Sequence, residues 1–282
     1  MPLRKKLLLA CALLFCLGAA LALWAFVIEP GRLTVDKQTL ALKGWPRELN
    51  GLKIVLVSDL HVGAPRVGAD KLPKIVALIN QQQPDLILLA GDFVVGGELG
   101  ARAVAPEVIA AGLRDLRARL GIFAVLGNHD WWEDGPRMRL ALEKNGIRVL
   151  ENDAARIESN GAAFWLLGIG DLWTGKPDFA AALAKVNDDA PVLAMTHNPD
   201  VFPRSPARIS LLMAGHTHGG QVWLPFIGRR VVPSQYGQRY ASGHVQEGGR
   251  QLYVTNGVGT SVFPVRFLVP PEISVLTLTG NP

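Results

Sequence analysis

The strongest constraint on this 282-residue chain is a series of short, almost wholly apolar segments that each stop at polar residues. The segments are IVLVS (54–58), LILLA (86–90), IFAVL (122–126), FWLLG (164–168), VLAM (192–195) and SLLMA (210–214). Between them, apolar residues recur at helical spacing and predict helices over 71–82, 106–120, 138–146 and 178–186. Near-continuous apolar strands that alternate with helices predict α/β layers.

Polar residues gather where these strands end, which in an α/β sheet is the edge at which ligands bind. They include five of the six histidines of the chain, and only His244 lies elsewhere, where we expect a solvated loop. The candidate residues are Asp59, His61, Asp92, Asn128, His129, Asp130, His197, His216 and His218. Neutral imidazoles, carboxylates and an amide oxygen suit Mn, Fe or Zn, so the ordered set predicts a metal site.

The sequence GHTH, at the end of SLLMA, contains two of these histidines one residue apart. If the strand continues through them, His216 and His218 lie on the same face, because side chains alternate along a strand. The glycines on either side allow the backbone to turn and a ligand to approach. Two surface histidines in a turn are the alternative, and the other strand-end histidines favour the metal.

The order DxH, GD, GNHD, H and GHTH resembles the calcineurin-like metallophosphoesterases, over residues from about 53 to 220. The sequences GHTHGGQVWLPFIGRR and LYVTNGVGTSVFPVRFLVPPEISVLTL are similar to a narrower group, the membrane-anchored bacterial phosphodiesterases of this superfamily. The resemblance implies a four-layer α/β/β/α sandwich, with two packed sheets between layers of helices. It also implies two divalent metal ions and a bridging hydroxide that hydrolyses a phosphodiester or pyrophosphate bond.

The resemblance further implies a role for each residue of the motifs. The first metal would be held by Asp59, His61 and His218, and the second by Asn128, His197 and His216. Asp92 would bridge the two ions. His129 would assist the departing oxygen as proton donor or transition-state stabiliser, and Asp130 would orient its ring through a hydrogen bond. The chain departs from many relatives at Val95, where they carry a second acid, and this change is expected to leave the ligand set complete.

An uncharged, mostly apolar stretch runs from Leu7 to Ile28, directly after the basic sequence MPLRKK. As a helix it spans about 33 Å, enough for a bilayer core of about 30 Å. We therefore expect residues 1–29 to be a retained membrane anchor and residues 30–282 to be the metallophosphoesterase domain. The alternative is a cleaved signal peptide, because Ala20-Leu21-Ala22 resembles a cleavage site. Both cysteines lie inside the stretch, so neither a disulfide framework nor a cysteine metal site is expected.

The basic residues before the apolar stretch predict that the catalytic domain lies outside the cytoplasm. With the resemblance to membrane-anchored bacterial phosphodiesterases, we expect a single-pass protein of the bacterial inner membrane. The expected substrate is a phosphate ester at the membrane, such as a lipid-linked phosphate. A UDP-2,3-diacylglucosamine pyrophosphatase of lipid A synthesis is the close alternative, although its substrate is made on the cytoplasmic side. A non-catalytic metal-binding membrane scaffold is a third hypothesis, and the complete ligand set argues against it.

Several charged and aromatic residues remain open between a functional and a structural role. The net charge is +5, but the basic residues form no long run outside the N-terminus, so no nucleic-acid partner is expected. Trp131 and Trp132 could line a groove for an apolar or sugar group, or pack against neighbouring loops. Arg229 and Arg230 could hold a phosphate, or be ordinary surface charges. The sequence carries no signal of the oligomeric state.

Overall fold

The computed structural model describes residues 2–97 and 99–280, and its elements alternate along the chain as the apolar segments predict. The helices are α1 (Leu3–Leu23), α2 (Leu72–Gln81), α3 (Pro106–Leu113), α4 (Asn128–Lys144) and α5 (Phe179–Leu183). The first strands are β1 (Thr34–Leu42), β2 (Leu52–Val57), β3 (Leu86–Leu89), β4 (Ile122–Ala124), β5 (Arg148–Val149) and β6 (Asp153–Ser159). The later strands are β7 (Ala162–Ile169), β8 (Val192–Thr196), β9 (Ile209–Ala214), β10 (Gly243–Glu247), β11 (Arg250–Val254) and β12 (Glu272–Gly280).

The strands of the described residues form two mixed sheets of six strands each. The first has the order β1-β12-β2-β3-β4-β5, and the second has the order β10-β11-β9-β8-β7-β6. In the first sheet, β2, β3, β4 and β5 are parallel and β12 runs antiparallel to β2. In the second, β7, β8, β9 and β11 are parallel, and β6 and β10 are antiparallel to their neighbours. The parallel strands at the centre of both sheets are those that carry the predicted polar ends.

The apolar residues of each sheet divide between its two faces, and this division builds the layers. In β2, Ile54 and Leu56 lie in the core between the sheets, whereas Val55 and Val57 pack against the helices α2, α3 and α4. A third core lies on the outer face of the second sheet, where α5 and the 3-10 turn Pro199–Arg204 cover it. The fold is therefore the predicted α/β/β/α sandwich.

The helices follow the spacing of their apolar residues. In α2, the buried residues Leu72, Ile75, Val76 and Ile79 form one stripe against the first sheet. The predicted helix over 106–120 ends earlier, at Leu113. The helix predicted from residue 138 begins ten residues sooner, at Asn128, and is kinked at Asp134 just before an internal proline.

The N-terminal helix extends away from the sandwich. Together with the turns that follow it, the segment Leu3–Gly31 is long and apolar enough to cross a membrane, and only 6% of its most apolar window is buried. A signal sequence near the N-terminus can meet the same criteria of length and composition. The far end of the segment joins the domain, because Glu29 and Pro30 are buried.

Candidate metal centre

The predicted site residues meet where the central strands of the two sheets end. Because parallel neighbours such as β2 and β3, or β8 and β9, end at a common edge, their polar residues lie close together. Eight of the nine candidates are buried, namely Asp59, His61, Asp92, Asn128, Asp130, His197, His216 and His218. The ninth, His129, has a side chain that is 12% exposed. The fold therefore collects the residues in one buried place.

A first group of possible metal ligands consists of Asp59, His61 and His218, whose ligand atoms all lie within 4.8 Å of one another. Nε2 of His61 lies 3.2 Å from Nε2 of His218, and this nitrogen of His218 lies 3.4 Å from Oδ1 of Asp59. Nδ1 of His61 lies 3.1 Å from the carbonyl oxygen of Val94. This second contact fixes the ring and directs Nε2 toward the group, as metal-binding histidines require.

A second group consists of Asp92, His197 and His216. Nε2 of His197 lies 3.1 Å from Oδ2 of Asp92 and 3.1 Å from Nδ1 of His216. Nδ1 of His197 lies 2.7 Å from the carbonyl oxygen of Ala90, which orients this ring in turn. Oδ2 of Asp92 also lies 3.6 Å from Nε2 of His61, so one carboxylate contacts both groups.

Asn128 and His129 lie beside Asp92 at the start of α4. The side chain of Asn128 is buried, and neither its nitrogen nor its oxygen has a hydrogen-bond partner in the described part of the chain. The backbone N–H of His129 donates to Oδ1 of Asp92 at 2.9 Å, and Nε2 of its ring lies 3.9 Å from Oδ2 of the same carboxylate. A Cβ at Gly96 would lie 1.9 Å from Nδ1 of His129, so only glycine leaves room for the ring.

Asp130 has different partners from those predicted. Its carboxylate accepts hydrogen bonds from four backbone N–H groups, those of Asp92, Phe93, Val94 and Gly127, at 2.8–3.2 Å. No hydrogen bond joins it to the ring of His129 within residues 2–97 and 99–280. The side chain points back under the loop after β3, because the start of α4 packs against that loop. Asp130 therefore holds the backbone of Asp92 rather than the ring of His129.

The expectation that GHTH continues its strand is also corrected. β9 ends at Ala214, and both His216 and His218 have positive φ, at 69° and 51°. The two rings then face different groups, His216 toward His197 and His218 toward His61. Positive φ recurs at Asp59, His61 and Asp92, so five non-glycine residues of one site adopt a conformation that is uncommon outside glycine.

Electrostatics keep two of the histidines neutral. Burial and the neighbouring charge of His197 lower the pKa of His216 to about 3. Burial and the charge of His61 lower the pKa of His218 well below its usual value. Burial alone would lower the pKa of His197 as well, but the adjacent Asp92 carboxylate raises it to about 10. His197 is therefore the imidazole most tightly coupled to the Asp92 carboxylate.

The donor set and its unsatisfied atoms fit divalent metal ions. Within the described residues, Oδ1 of Asp59, Nε2 of His216 and both side-chain heteroatoms of Asn128 are buried without a hydrogen-bond partner. Buried polar atoms without partners are costly unless an ion or water satisfies them. The donors are imidazole nitrogens with carboxylate and amide oxygens, which is the set that suits Mn, Fe or Zn. The His/Asp clusters are typical of dinuclear metallophosphoesterases.

A cavity of about 310 Å³ opens over the two groups. Two exposed tryptophans, Trp132 and Trp173, line it with their rings stacked at a centroid distance of 6.2 Å. Trp132 contacts the ring of His129, and Trp173 contacts the ring of His216 edge to face. Trp132 thus lines the cavity, which is the first of the two alternatives left open by the sequence. Trp173 was missed, because it lies in a loop without a motif.

A second missed feature supports Asp59 from behind. The buried guanidinium of Arg266 donates to the carbonyl oxygens of Asn256, Gly257 and Gly259. The N–H of Gly259 donates to the carbonyl oxygen of Asp59 at 2.6 Å. A Cβ at Gly257 would lie 2.7 Å from the Cβ of Asp59. The glycines of NGVG were the available sequence signal, since closely spaced glycines indicate close approach of the backbone.

The residues that sequence reasoning set aside lie mostly away from the groups. His244 lies in β10, not in a loop, and its Nε2 lies 2.7 Å from Oε1 of Gln251 across the strand pair. Val95 is buried. Nε of Arg229 donates to the carbonyl oxygen of Gly219, while Arg230 lines a cavity next to the site.

Comparison with known proteins agrees with this geometry. Residues 52–220 match the calcineurin-like phosphoesterase family. The chain is 34% identical to the phosphodiesterase YaeI of Escherichia coli, over 89% of this chain and 90% of that protein. It is 32% identical to the uncharacterized metallophosphoesterase YkuE of Bacillus subtilis, over 92% and 90% of the two chains.

Two further likenesses bear on the architecture. The chain is 30% identical to a zebrafish transmembrane protein with a metallophosphoesterase domain, over 92% of this chain and 60% of that protein. Among solved structures, the sulfate thiohydrolase SoxB of Thermus thermophilus has a TM-score of 0.50 at 12% identity, over 74% of this chain and 52% of that one. The structural likeness shows the fold alone. The match of residues 52–220 to the family, the relative at 34% identity and the buried His/Asp groups together show that the chain belongs to the calcineurin-like metallophosphoesterases.

Proposed function

We propose that this metallophosphoesterase is a phosphodiesterase with a dinuclear metal centre, acting on a phosphodiester or pyrophosphate bond in a substrate of the membrane or cell envelope. The observation that carries the proposal is the position of Asp92, whose Oδ2 lies 3.1 Å from His197 and 3.6 Å from His61. One carboxylate between two groups of ligands is the arrangement that holds two metal ions about 3.5–4 Å apart.

The proposed ligand sets follow the two groups. The first ion would be held by Asp59, His61 and His218, and the second by Asn128, His197 and His216, with Asp92 shared. The family resemblance assigns Asn128 to the second set. A ligand role is supported by its buried side chain, which lacks a partner among the described residues and lines the same cavity as Asp92. When bound, the ions would neutralise the charge of the phosphate oxygens. They would also lower the pKa of a bound water toward neutral pH.

His129 is the residue proposed to assist the departing oxygen as proton donor or hydrogen-bond donor. Its ring lies at the wall of the cavity, is partly exposed and is kept close to Asp92 by the bond from its own backbone N–H. Hydrolysis forms a bond from phosphorus to water oxygen and breaks the bond to the leaving oxygen, which needs a proton or a hydrogen bond. Asp130 is proposed as a positioning residue, because it holds the loop that carries Asp92.

The membrane setting is supported by the N-terminal segment. We infer that residues 1–29 are a retained anchor and residues 30–282 the catalytic domain, at the bacterial inner membrane and outside the cytoplasm. The similarity to a transmembrane protein with this domain supports an anchor, and the similarity to YaeI, a named phosphodiesterase, supports diester chemistry. The alternative hypothesis is a UDP-2,3-diacylglucosamine pyrophosphatase, which requires the catalytic domain to lie on the cytoplasmic side.

The test uses the purified full chain in detergent, loaded with Mn²⁺, and compares bis-p-nitrophenyl phosphate with p-nitrophenyl phosphate. We expect chelator-sensitive hydrolysis of the diester and a much lower kcat/KM for the monoester. His129→Ala should lower kcat, and His244→Ala, which changes the one histidine outside the site, should not. A monoester hydrolysed as well as the diester, or no metal-dependent hydrolysis of either ester by a folded, loaded sample, contradicts the proposal.

A further inference from the structure

A second cavity, of about 530 Å³, adjoins the metal centre and is lined mainly by apolar side chains. The two cavities share His218, Pro233, Ser261 and Val262 in their walls, so the second continues from the first. We call it the apolar groove, and its further walls include Val222, Val231, Val232, Phe263 and Val265. A concave, apolar site of this size suits a small-molecule ligand with a hydrocarbon part.

Apolar side chains at the mouth of the groove are exposed to solvent. We call residues 224–227 and 262–268 the apolar rim. Phe226 is fully exposed, and Ile227, Val262 and Phe263 are each more than half exposed. Hydrogen bonds from Trp223 N–H to the Phe267 carbonyl oxygen, and from Phe267 N–H to the Gln221 carbonyl oxygen, hold the two loops together. Exposed apolar side chains grouped on two joined loops are typical of a protein or membrane contact.

The apolar rim is joined directly to the end of the N-terminal helix. The N–H of Arg266 donates to the carbonyl oxygen of Ala25 at 2.9 Å. The N–H of Leu268 donates to Oε2 of the buried Glu29, which also accepts from the indole N–H of Trp24. The apolar segment that ends at Gly31 therefore enters the domain at the rim. If that segment crosses a bilayer, the rim and the mouth of the groove lie at the surface of the same bilayer.

We propose that the apolar groove binds a hydrocarbon chain of a membrane lipid while the phosphodiester of that lipid lies on the metal centre. This inference rests on the proposed function and adds the class of substrate. The groove provides apolar walls next to the reacting position, and the helix contacts place its mouth where lipid chains are available. A soluble nucleotide or sugar diester would leave these walls without a partner.

The first experiment measures kcat/KM for p-nitrophenyl phosphodiesters that differ only in the second alcohol, from ethyl through hexyl to decyl, below their critical micelle concentrations. Each buried methylene strengthens binding by up to about fourfold. We expect kcat/KM to rise at least about tenfold from ethyl to decyl, since several methylenes become buried. Equal kcat/KM for the whole series overturns the groove proposal and leaves the phosphodiesterase assignment standing.

A charged substitution in the groove provides the second arm. Val231→Asp places a carboxylate in the wall at an exposed position, where the chain tolerates a polar side chain. Val108→Asp makes the same change on the exposed face of α3, outside the groove. We expect Val231→Asp to lower the decyl-to-ethyl ratio of kcat/KM at least about tenfold and Val108→Asp to leave it unchanged. An unchanged ratio in Val231→Asp contradicts the proposal.

A binding measurement separates the groove from turnover. Dodecyl phosphate should displace the fluorescent probe 1-anilinonaphthalene-8-sulfonate from the wild-type chain and from Val108→Asp, but not from Val231→Asp. This result would support hydrocarbon binding in the groove even if none of the chromogenic diesters were cleaved. A lack of cleavage would count against the phosphodiesterase assignment alone. Equal displacement from all three chains would overturn the groove whatever the activity.

Discussion

At the scale of single residues, the carboxylate of Asp92 is closely surrounded. Its φ is 56°, its carboxylate is buried, and its two oxygens contact His129, His197 and His61. A Cβ on the neighbouring Gly127 would lie 2.2 Å from its Oδ1. Because backbone, glycine and histidines all converge on one carboxylate, a change of its charge affects both ligand groups together.

Asp92→Asn is therefore expected to abolish metal-dependent turnover. The amide keeps the shape but removes one anionic oxygen, and its NH₂ group points toward an ion or an imidazole. The loss should exceed the roughly 10–100-fold typical of residues that act only on the ligands. Steady-state hydrolysis and metal content per chain, measured together, test this. Asp115→Asn, an exposed acid outside the site, is the matched control. Full activity in Asp92→Asn shows that the bridging assignment is wrong.

At the scale of elements, α4 couples the metal centre to the first sheet. It begins at Asn128, after a short loop that follows β4. Its third residue, Asp130, accepts hydrogen bonds from three N–H groups of the loop after β3 and from that of Gly127. Burial and the Asp92 charge raise the pKa of Asp130 to about 7, although these N–H groups lower it. These bonds tie the start of the helix to the loop that carries Asp92, the proposed bridging residue.

Asp130→Asn is predicted to loosen this connection. An amide can accept with one oxygen only, so N–H groups that now donate to the other carboxylate oxygen face an NH₂ group. We expect Mn²⁺ affinity to fall about 10–100-fold, as for residues that orient metal ligands. Titration calorimetry of the metal-free chain measures this directly.

The control for this prediction lies on the same helix. Asp134 is exposed, and its Oδ1 accepts from the N–H of Arg137, a bond that asparagine can also make. Asp134→Asn should keep the wild-type affinity for Mn²⁺. If Asp130→Asn binds Mn²⁺ as tightly as Asp134→Asn does, the four backbone bonds have no effect on the centre.

At the scale of the whole molecule, the end of the N-terminal helix is connected to the metal centre through the apolar rim and the apolar groove. The apolar rim, the groove and the metal centre follow one another from the end of the helix inward. For the proposed anchor and the proposed lipid substrate, the orientation of the chain in the membrane decides which leaflet supplies the lipid.

We predict that the domain lies outside the cytoplasm. In bacterial spheroplasts that express the full chain, added protease should degrade the domain while a cytoplasmic marker protein stays intact. Arg4, Lys5 and Lys6 are the physical reason, since basic residues beside an apolar helix stay on the cytoplasmic side. A protected domain, degraded only after lysis, would reverse the orientation and favour the nucleotide-diacylsugar pyrophosphatase. The mass of the membrane-extracted chain tells an anchor from a cleaved signal sequence.

Local patterns predicted a large part of the molecule. The apolar segments marked six of the central strands, and the polar residues after them marked the edge at which the groups form. The apolar pattern predicted α/β layers, and the family resemblance implied the α/β/β/α sandwich. Edge strands such as β1 and β6 were not predicted. Half-exposed edge strands depend on their neighbours more than on their own residues.

The sequence by itself determined which residues end the buried strands and which segment is apolar enough to leave water, because both are properties of consecutive residues. The family resemblance, not periodicity, grouped His216 with His197 and His218 with His61, a residue 157 positions away. Only the tertiary structure supplies the contacts between these rings. It also turned Asp130 toward a backbone loop and joined the rim to Ala25. These contacts depend on packing between distant segments, and periodicity along the chain carries no information about them.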